Sequence, residues 1–174
     1  MKKKINLGCG SITKEGYINI DINYYKGVDL LLDLYKHSYP FEVSSIDFIY
    51  TRHCLEHLDS VKLTLKEMCR VLKEKGTAEI IVPHFTSNGA FQDLTHKHFF
   101  AYHSFDYFQT QEQHKFNGFM LYTKKIRLVF GKKIQVWNWL IEPLVNMFPD
   151  VWEGSFLKSY PAIELRVVLE KRKC

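Results

Sequence analysis

Two glycines and one carboxylate are the residues of this chain whose types and spacing most clearly suggest chemistry. Leu7-Gly8-Cys9-Gly10 closes the short apolar run Ile5-Asn6-Leu7, and the run Tyr17-Ile18-Asn19-Ile20 ends on Asp21 soon afterwards. A glycine turn lets backbone approach a bound molecule where a side chain would collide. An acid at the tip of the next strand can accept both hydroxyls of a ribose. Together they outline a nucleoside site. A dinucleotide fingerprint fits poorly, because Thr13 stands where the third glycine belongs and Asp21 arrives early. The Gly-Lys-Ser/Thr of a phosphate-binding loop is absent.

A nucleoside without phosphates suits the pattern better. In S-adenosylmethionine the amino-acid part would lie against Gly8 to Gly10, the ribose would meet Asp21, and Asp33 could accept from the adenine amino group. The elements that must position these residues emerge from periodicity. Strand-length apolar runs recur at Ile5 to Leu7, Tyr17 to Ile20, Val28 to Leu32, Ile46 to Tyr50 and Ala78 to Val82. From Ser60 to Lys75, Val61, Leu65, Met68 and Leu72 keep to one helical face, with Ser60 as cap and Gly76 as C-terminal turn. Strand, helix, strand in that order predicts a parallel sheet. Near-continuous apolar strands predict one covered on both faces.

Beyond Val82 the character changes. Pro83 to Tyr107 is rich in His, Phe, Asp and Thr without a period, and reads as a functional loop or short-helix region over the sheet ends. Met120 to Phe130 is strand-like, Ile134 to Met147 apolar and helical, and Ile163 to Leu169 a strand with Glu164 and Arg166 turned outward.

Bulk composition limits the alternatives. The 174 residues suffice for one domain with a true core, here taken as 1–174 with a cofactor half (1–83) and a substrate-side half (84–174). A hydrophobic content of 46% and an aromatic content of 15% exclude a disordered chain. No run approaches the ~20 apolar residues that cross a bilayer. Asn6, Gly8 and Gly10 interrupt the stretch after Met-Lys-Lys-Lys, so a cytoplasmic protein is expected. Cys9, Cys54, Cys69 and Cys174 have no paired spacing and read as buried thiols rather than a zinc site or a disulfide frame. A net charge of +5, gathered at both ends and around Lys124, Lys125, Lys132 and Lys133, fits solvated tails more cheaply than an anionic partner.

The ordered series Leu7-Gly8-Cys9-Gly10, Gly16 to Asp21, Asp33-Leu34, Pro40-Phe41, Ser45 to Tyr50, His53-Cys54-Leu55-Glu56-His57-Leu58, Glu67 to Lys73, Gly76 and Ile80-Ile81-Val82-Pro83 resembles the Rossmann-like (class I) S-adenosylmethionine-dependent methyltransferases of the small type 11 kind. The resemblance implies an α/β fold. Its mostly parallel sheet of about seven strands, the last antiparallel, is flanked by helices, with a cap after the fifth strand and the cofactor outside the carboxyl ends of the strands. Carried over, Gly8, Cys9 and Gly10 line the methionine part, Asp21 the ribose, and Asp33 with Leu34 the adenine, while Thr51 and His53 border the sulfonium end. Relatives carry a helix before the first strand. Here that strand begins almost at Met1, so the cofactor is expected to be less covered unless the Pro83 to Tyr107 region or another subunit closes over it.

Methyl transfer asks mainly for alignment, worth roughly 7–11 kcal/mol, and for a base only when the acceptor arrives protonated. Similar small methyltransferases carry an Asp-x-Thr-His stretch after the fifth strand, matched by Asp93-Leu94-Thr95-His96. His84 or His96 is therefore a candidate base, oriented by Asp93, against the plainer reading that Asp93 caps a helix and the histidines bond backbone. His98 and His103 favour the plainer reading. Asp93, His96 and His98 as metal ligands would converge only on a strand, and His53 with His57 reads as a helix start, so no metal is assigned. Trp137, Trp139, Leu140, Val145, Met147 and Phe148 read as core with some dimer or membrane-surface contact. The functional expectation is a methyltransferase acting on a small molecule or glycan precursor. A non-catalytic S-adenosylmethionine-binding module and an RNA methyltransferase are the alternatives. Neither an Asn-Pro-Pro-Tyr-type motif nor an RNA-binding appendage supports the latter.

Overall fold

The apolar runs pair as the sequence predicts. The computed structural model describes residues 2–35, 38–110, 112, 115, 117–131 and 137–172. Its strands are β1 (Lys4–Leu7), β2 (Ile18–Asp21), β3 (Leu30–Leu31), β4 (Ile46–Arg52), β5 (Leu72–Pro83), β6 (Leu121–Val129) and β7 (Glu164–Lys171). They form a sheet in the order β3-β2-β1-β4-β5-β7-β6. Pairings from β3 to β5 are parallel, and β7 is antiparallel to both neighbours. Helix α1 (Val61–Val71) joins β4 to β5, α2 (Gly89–Gln92) comes after β5, and α3 (Asn138–Met147) and α4 (Pro149–Gly154) precede β7. The expectations placed on Lys132, Lys133, Ile134 and Cys174 lie outside the described residues.

Strand order reverses beside β1, which neighbours β2 on one side and β4 on the other. Such a switch opens a crevice at the carboxyl ends of the strands. That is where Gly8 to Gly10 and His53 fall.

Four expectations are corrected. Helix α1 stops at Val71 rather than Lys75: Leu72 is already extended, fully buried and paired with Ile46 of β4. The helix-forming Lys73-Glu74-Lys75 is thereby drawn into β5, because tertiary pairing outweighs local propensity. Gly76 belongs to the tight excursion just beyond, where Lys75 has φ +62° and a Cβ on Gly76 would stand 2.8 Å from the Lys73 carbonyl oxygen. The sheet is also less symmetric than expected. Ile5, Leu7, Ile20, Ile49, Ala78, Ile80, Val167 and Leu169 share one fully buried face, whereas their alternates include Asn6, Asn19, Tyr50, Glu79 and Arg166. The connection 8–17 contains turns and no helix, and the side-chain amides of Asn6 and Asn19 hold it instead. Asn6 Nδ2 donates to Asn19 Oδ1 and to the Ile12 carbonyl, and Asn19 Oδ1 accepts from Lys14 N–H.

Helix α3 is the third correction. Its polar residues, together with Val145, face the protein, and most of its apolar residues do not. Asn146 donates to the Leu128 carbonyl and accepts from Leu128 N–H, and Glu142 accepts from Phe130 N–H and from Arg127. They satisfy the open edge of β6, which would otherwise present unpaired backbone. Trp139, Leu140, Leu144 and Met147 are left exposed, as are Trp137 and Phe148 at the helix ends. The fourth is Glu164, which is buried rather than turned outward. Among the described residues no helix is long and apolar enough to cross a membrane. Cys9, Cys54 and Cys69 are buried and carry no disulfide.

Candidate functional site

The glycine turn works for two different reasons. Gly8 has φ +61°, and a Cβ there would overlap the Cys54 sulfur, so this glycine is required by the protein's own packing. Gly10, at φ +52°, would send a Cβ into open space. It stands between two cavities. One of about 460 Å³ is lined by Gly8, Gly10, Asp21, Tyr25, Leu34, Tyr35, His53, Cys54, His57 and Leu58 among others. The second, about 260 Å³, continues past the turn to Tyr50, Arg52 and His53.

Asp21 is nearly buried at the cavity wall. Its Oδ2 accepts from Gly10 N–H (2.8 Å) and its Oδ1 from Asn23 N–H (2.9 Å). The carboxylate therefore braces the glycine turn while keeping lone pairs for a second partner. Of the other expected cofactor residues, Gly8, Gly10, Leu34 and His53 line the larger cavity and Cys9 the smaller. Asp33 and Thr51 line neither. Asp33 Oδ1 accepts from Tyr35 N–H, and Thr51 is fully buried beneath the turn. Burial pushes the Cys54 thiol up to about 12 and raises that of Cys9, so neither serves as a thiolate.

A third pocket, of about 370 Å³, opens on the far side of His53. His53, Glu56, His57, Pro83, Ser87, Gly89, Asp93, His96, Ile163 and Glu164 line it. His53, at φ +50°, is thus common to all three cavities. Its Nε2 bonds Glu164 Oε1 (3.1 Å) and its Nδ1 bonds Glu56 Oε1 (3.3 Å). These two carboxylates raise its pKa to about 9, so it is an imidazolium at neutral pH. Glu164 also accepts from Arg52 (2.7 Å) and Arg166 (2.9 Å). His53 first, then the two guanidiniums, hold it far below the usual carboxylate range.

The structure brings Asp93 and His96 to this pocket and leaves His84 outside it. His84 is fully buried, with Nδ1 bonded to Thr86 Oγ1 and Nε2 to Glu153 Oε1, both at 2.8 Å. Burial lowers its pKa against the pull of Glu153. The expectation that His84 meets an acceptor is corrected on that geometry. Asp93 ends α2 and accepts through Oδ1 from Thr95 N–H and from the Thr95 hydroxyl. His98 bonds the Leu58 carbonyl, as the plainer reading has it, whereas His103 bonds the side chains of Asp106 and Asp150 at the surface rather than backbone. Sequence reasoning gave no role to Arg52 or Glu164. Strand alternation had sent Glu164 outward, and an arginine at a strand end carries no signal of its own.

Comparison with known proteins agrees with this frame. Residues 17–80 match the family model of a methyltransferase domain. The match begins just after the glycine turn. No curated protein matches the chain. Among solved structures, a SAM-dependent methyltransferase from Archaeoglobus fulgidus superposes with a TM-score of 0.65 at 18% identity, over 98% of this chain and 86% of that one. A complex of the Haloferax volcanii Trm112 methyltransferase activator with its candidate methyltransferase gives 0.63 at 16% identity, over 99% and 83%. The [4+2]-cyclase SpnF gives 0.62 at 12% identity, over 99% and 75%. A cyclase among these neighbours shows that the fold alone does not name the reaction.

Proposed function

We propose that this chain, which carries a methyltransferase domain on a Rossmann-like frame, binds S-adenosylmethionine beside Asp21 and presents the methyl group to a small oxygen- or nitrogen-bearing acceptor beyond His53. The observation that carries the reading is Gly10. Its missing side chain opens onto the cavity, and its N–H is fixed by the same carboxylate that lines the cavity wall. The residues fit the group. Leu34, Leu58 and the rings of Tyr25 and Tyr35 offer apolar walls for an adenine, and Asp21 offers acceptor lone pairs for a ribose. Past the turn, Arg52 supplies a cation on the side where a methionine carboxylate would lie. When bound, the donor supplies an electrophilic methyl on a sulfonium.

The chain's own part is positioning. A nucleophile entering from the Asp93–His96 side reaches the donor cavity past His53, whose ring is clamped between Glu56 and Glu164. The clamp fixes the wall between the two pockets, and fixed alignment is what an in-line displacement needs. As long as its Nε2 binds nothing else, His96 is the candidate base for a protonated acceptor, with Asp93 beside it (Oδ2 to Nε2, 3.9 Å). The modest size and polar rim of this pocket support a small-molecule or sugar acceptor.

The test is titration calorimetry with S-adenosylhomocysteine. Asp21→Asn keeps the size of the side chain but loses the charge that a ribose would meet and, because an amide nitrogen cannot accept, one of the two N–H bonds of the brace. A hydrogen bond to a charged group is worth about 1.5–3 kcal/mol, so affinity should fall roughly tenfold to a hundredfold. Unchanged affinity in a folded variant contradicts the reading.

A further inference from the structure

We propose that Glu56, His57 and His96 form a binding site for one divalent first-row transition-metal ion, on the acceptor side of the donor cavity. One ligand atom from each of the three side chains lies within 4.8 Å of the other two. Glu56 and His57 come from the 3-10 turn Leu55–His57, and His96 from the segment after α2. That segment is strapped onto the turn by backbone. The N–H groups of Lys97 and His98 both donate to the Glu56 carbonyl (2.7 and 3.2 Å), and His98 Nε2 bonds the Leu58 carbonyl (2.8 Å). His96 is thereby held over Glu56 and His57. Its ring meets that of His57 edge-on, with centroids 4.6 Å apart.

Hydrogen-bond accounting decides which ring nitrogens are left free to bind. His96 Nδ1 lies 2.9 Å from the Ala90 carbonyl, which only accepts, so Nδ1 carries the proton and Nε2 keeps its lone pair. His57 Nδ1 lies 2.8 Å from Thr95 Oγ1, whose own proton goes to Asp93 Oδ1 (2.7 Å). His57 Nδ1 is therefore also the donor, and its Nε2 is also a free acceptor. Metal-binding histidines are prepared in this way, with the second ring N–H held by a carbonyl or by a relay that ends on a carboxylate. Thr95 and Asp93 are positioning residues in this scheme.

Glu56 supplies an independent sign. Its side chain is about 1% exposed, and while Oε1 bonds His53, Oε2 has no hydrogen-bond partner among the described residues. A buried carboxylate oxygen left without a donor is costly. It shares a pocket with two imidazoles whose Nε2 atoms are unused, and none of these three groups supplies a donor to the others. A cation resolves that arrangement. Two imidazoles with one carboxylate suit zinc, iron or cobalt rather than calcium or magnesium, and three protein ligands leave positions open on the pocket side. Ligands suited to those positions are oxygen donors such as a hydroxyl or carboxylate. That the oxygen belongs to a methyl acceptor rests on the methyltransferase reading above; the metal site itself does not.

The experiment is uptake of Zn(II) by calorimetry and of Co(II) by visible absorption, on the metal-stripped full chain. One ion per chain is expected, with a Co(II) spectrum of low-symmetry nitrogen and oxygen ligation. His57→Ala, His96→Ala and Glu56→Gln should each abolish stoichiometric uptake. Thr95→Val, which removes only the relay, should weaken it roughly tenfold to a hundredfold, and it keeps the proposal testable if a ligand variant fails to fold. His103→Ala, in the separate surface cluster with Asp106 and Asp150, should take up the ion as the parent does. Absence of uptake by the parent, or uptake lost in His103→Ala and kept in His57→Ala, overturns the proposal. S-adenosylhomocysteine affinity measured in parallel separates this outcome from the donor site, because Asp21→Asn should bind the ion normally.

Discussion

The donor cavity and the acceptor-side pocket meet at His53 yet are built on opposite principles. The donor side turns on backbone: two positive-φ glycines and one N–H held by Asp21, with side-chain walls drawn from short stretches near residues 8, 21, 34 and 53–58. The acceptor side is made of side chains brought together from residues 53–57, 83–96 and 163–164. A backbone site tolerates little change in residue type but depends on few distant contacts. A side-chain site depends on hydrogen bonds that span the chain, such as His53 to Glu164 across 111 positions.

The contrast predicts where each region breaks. The largest effect should come from Gly8→Ala. Left-handed backbone costs a residue with a Cβ about 1–2 kcal/mol, and overpacking costs about 1–3 kcal/mol more, here against the Cys54 sulfur. Urea denaturation should show the sum. A second substitution, Cys54→Gly, should couple to the first and return the overpacking part; strict additivity would mean that Gly8 is not there for packing.

Gly10→Ala sharpens the same comparison. With nothing within 4 Å of its Cβ, only the backbone cost of about 1–2 kcal/mol applies to stability. The methyl group would project into the cavity, so S-adenosylhomocysteine affinity should fall by more than stability does. Equal losses in Gly8→Ala and Gly10→Ala would erase the distinction between a packing glycine and a ligand-facing one.

The smallest effect concerns pH. His84 and His53 shift oppositely, one downward by burial and the other upward to about 9 by two carboxylates. A histidine whose folded pKa is depressed stays neutral in the native state while the unfolded chain takes up a proton near pH 6.5. Its contribution is present in full above that pH and is lost as pH falls below it. Unfolding midpoints should drop as pH falls below about 6.5, and His84→Gln should flatten that slope. An undiminished slope in the variant would assign it to other groups.

How much of this was legible depends on the range of the interactions concerned. Gly8, Gly10 and Asp21 could be read because a strand, a turn and a strand tip are local, and local patterns repeat in sequence. The extent of α1 was misread because Lys73-Glu74-Lys75 carries good helix propensity, while the pairing of Leu72 with Ile46 is invisible along the chain. Helix α3 was misread for a related reason. Apolar residues are normally buried, but here Asn138, Glu142 and Asn146 hold the helix to Gly131, Arg127 and the backbone of β6. Asp93 and His96 stand out through the Asp-x-Thr-His stretch that resembles small methyltransferases, whereas their neighbour His57 reads along the chain only as part of a helix start.

The sequence by itself determined the strand pattern, the parallel crossover through α1 and the glycine-acid corner, because these rest on periodicity and on backbone freedom within a few residues. Only the tertiary structure decided that Glu164 turns inward, that His84 is sealed away, and that Glu56, His57 and His96 face one another. Those facts depend on which distant segments share a buried space, where a carboxylate or an imidazole must find a partner or bear the cost of lacking one.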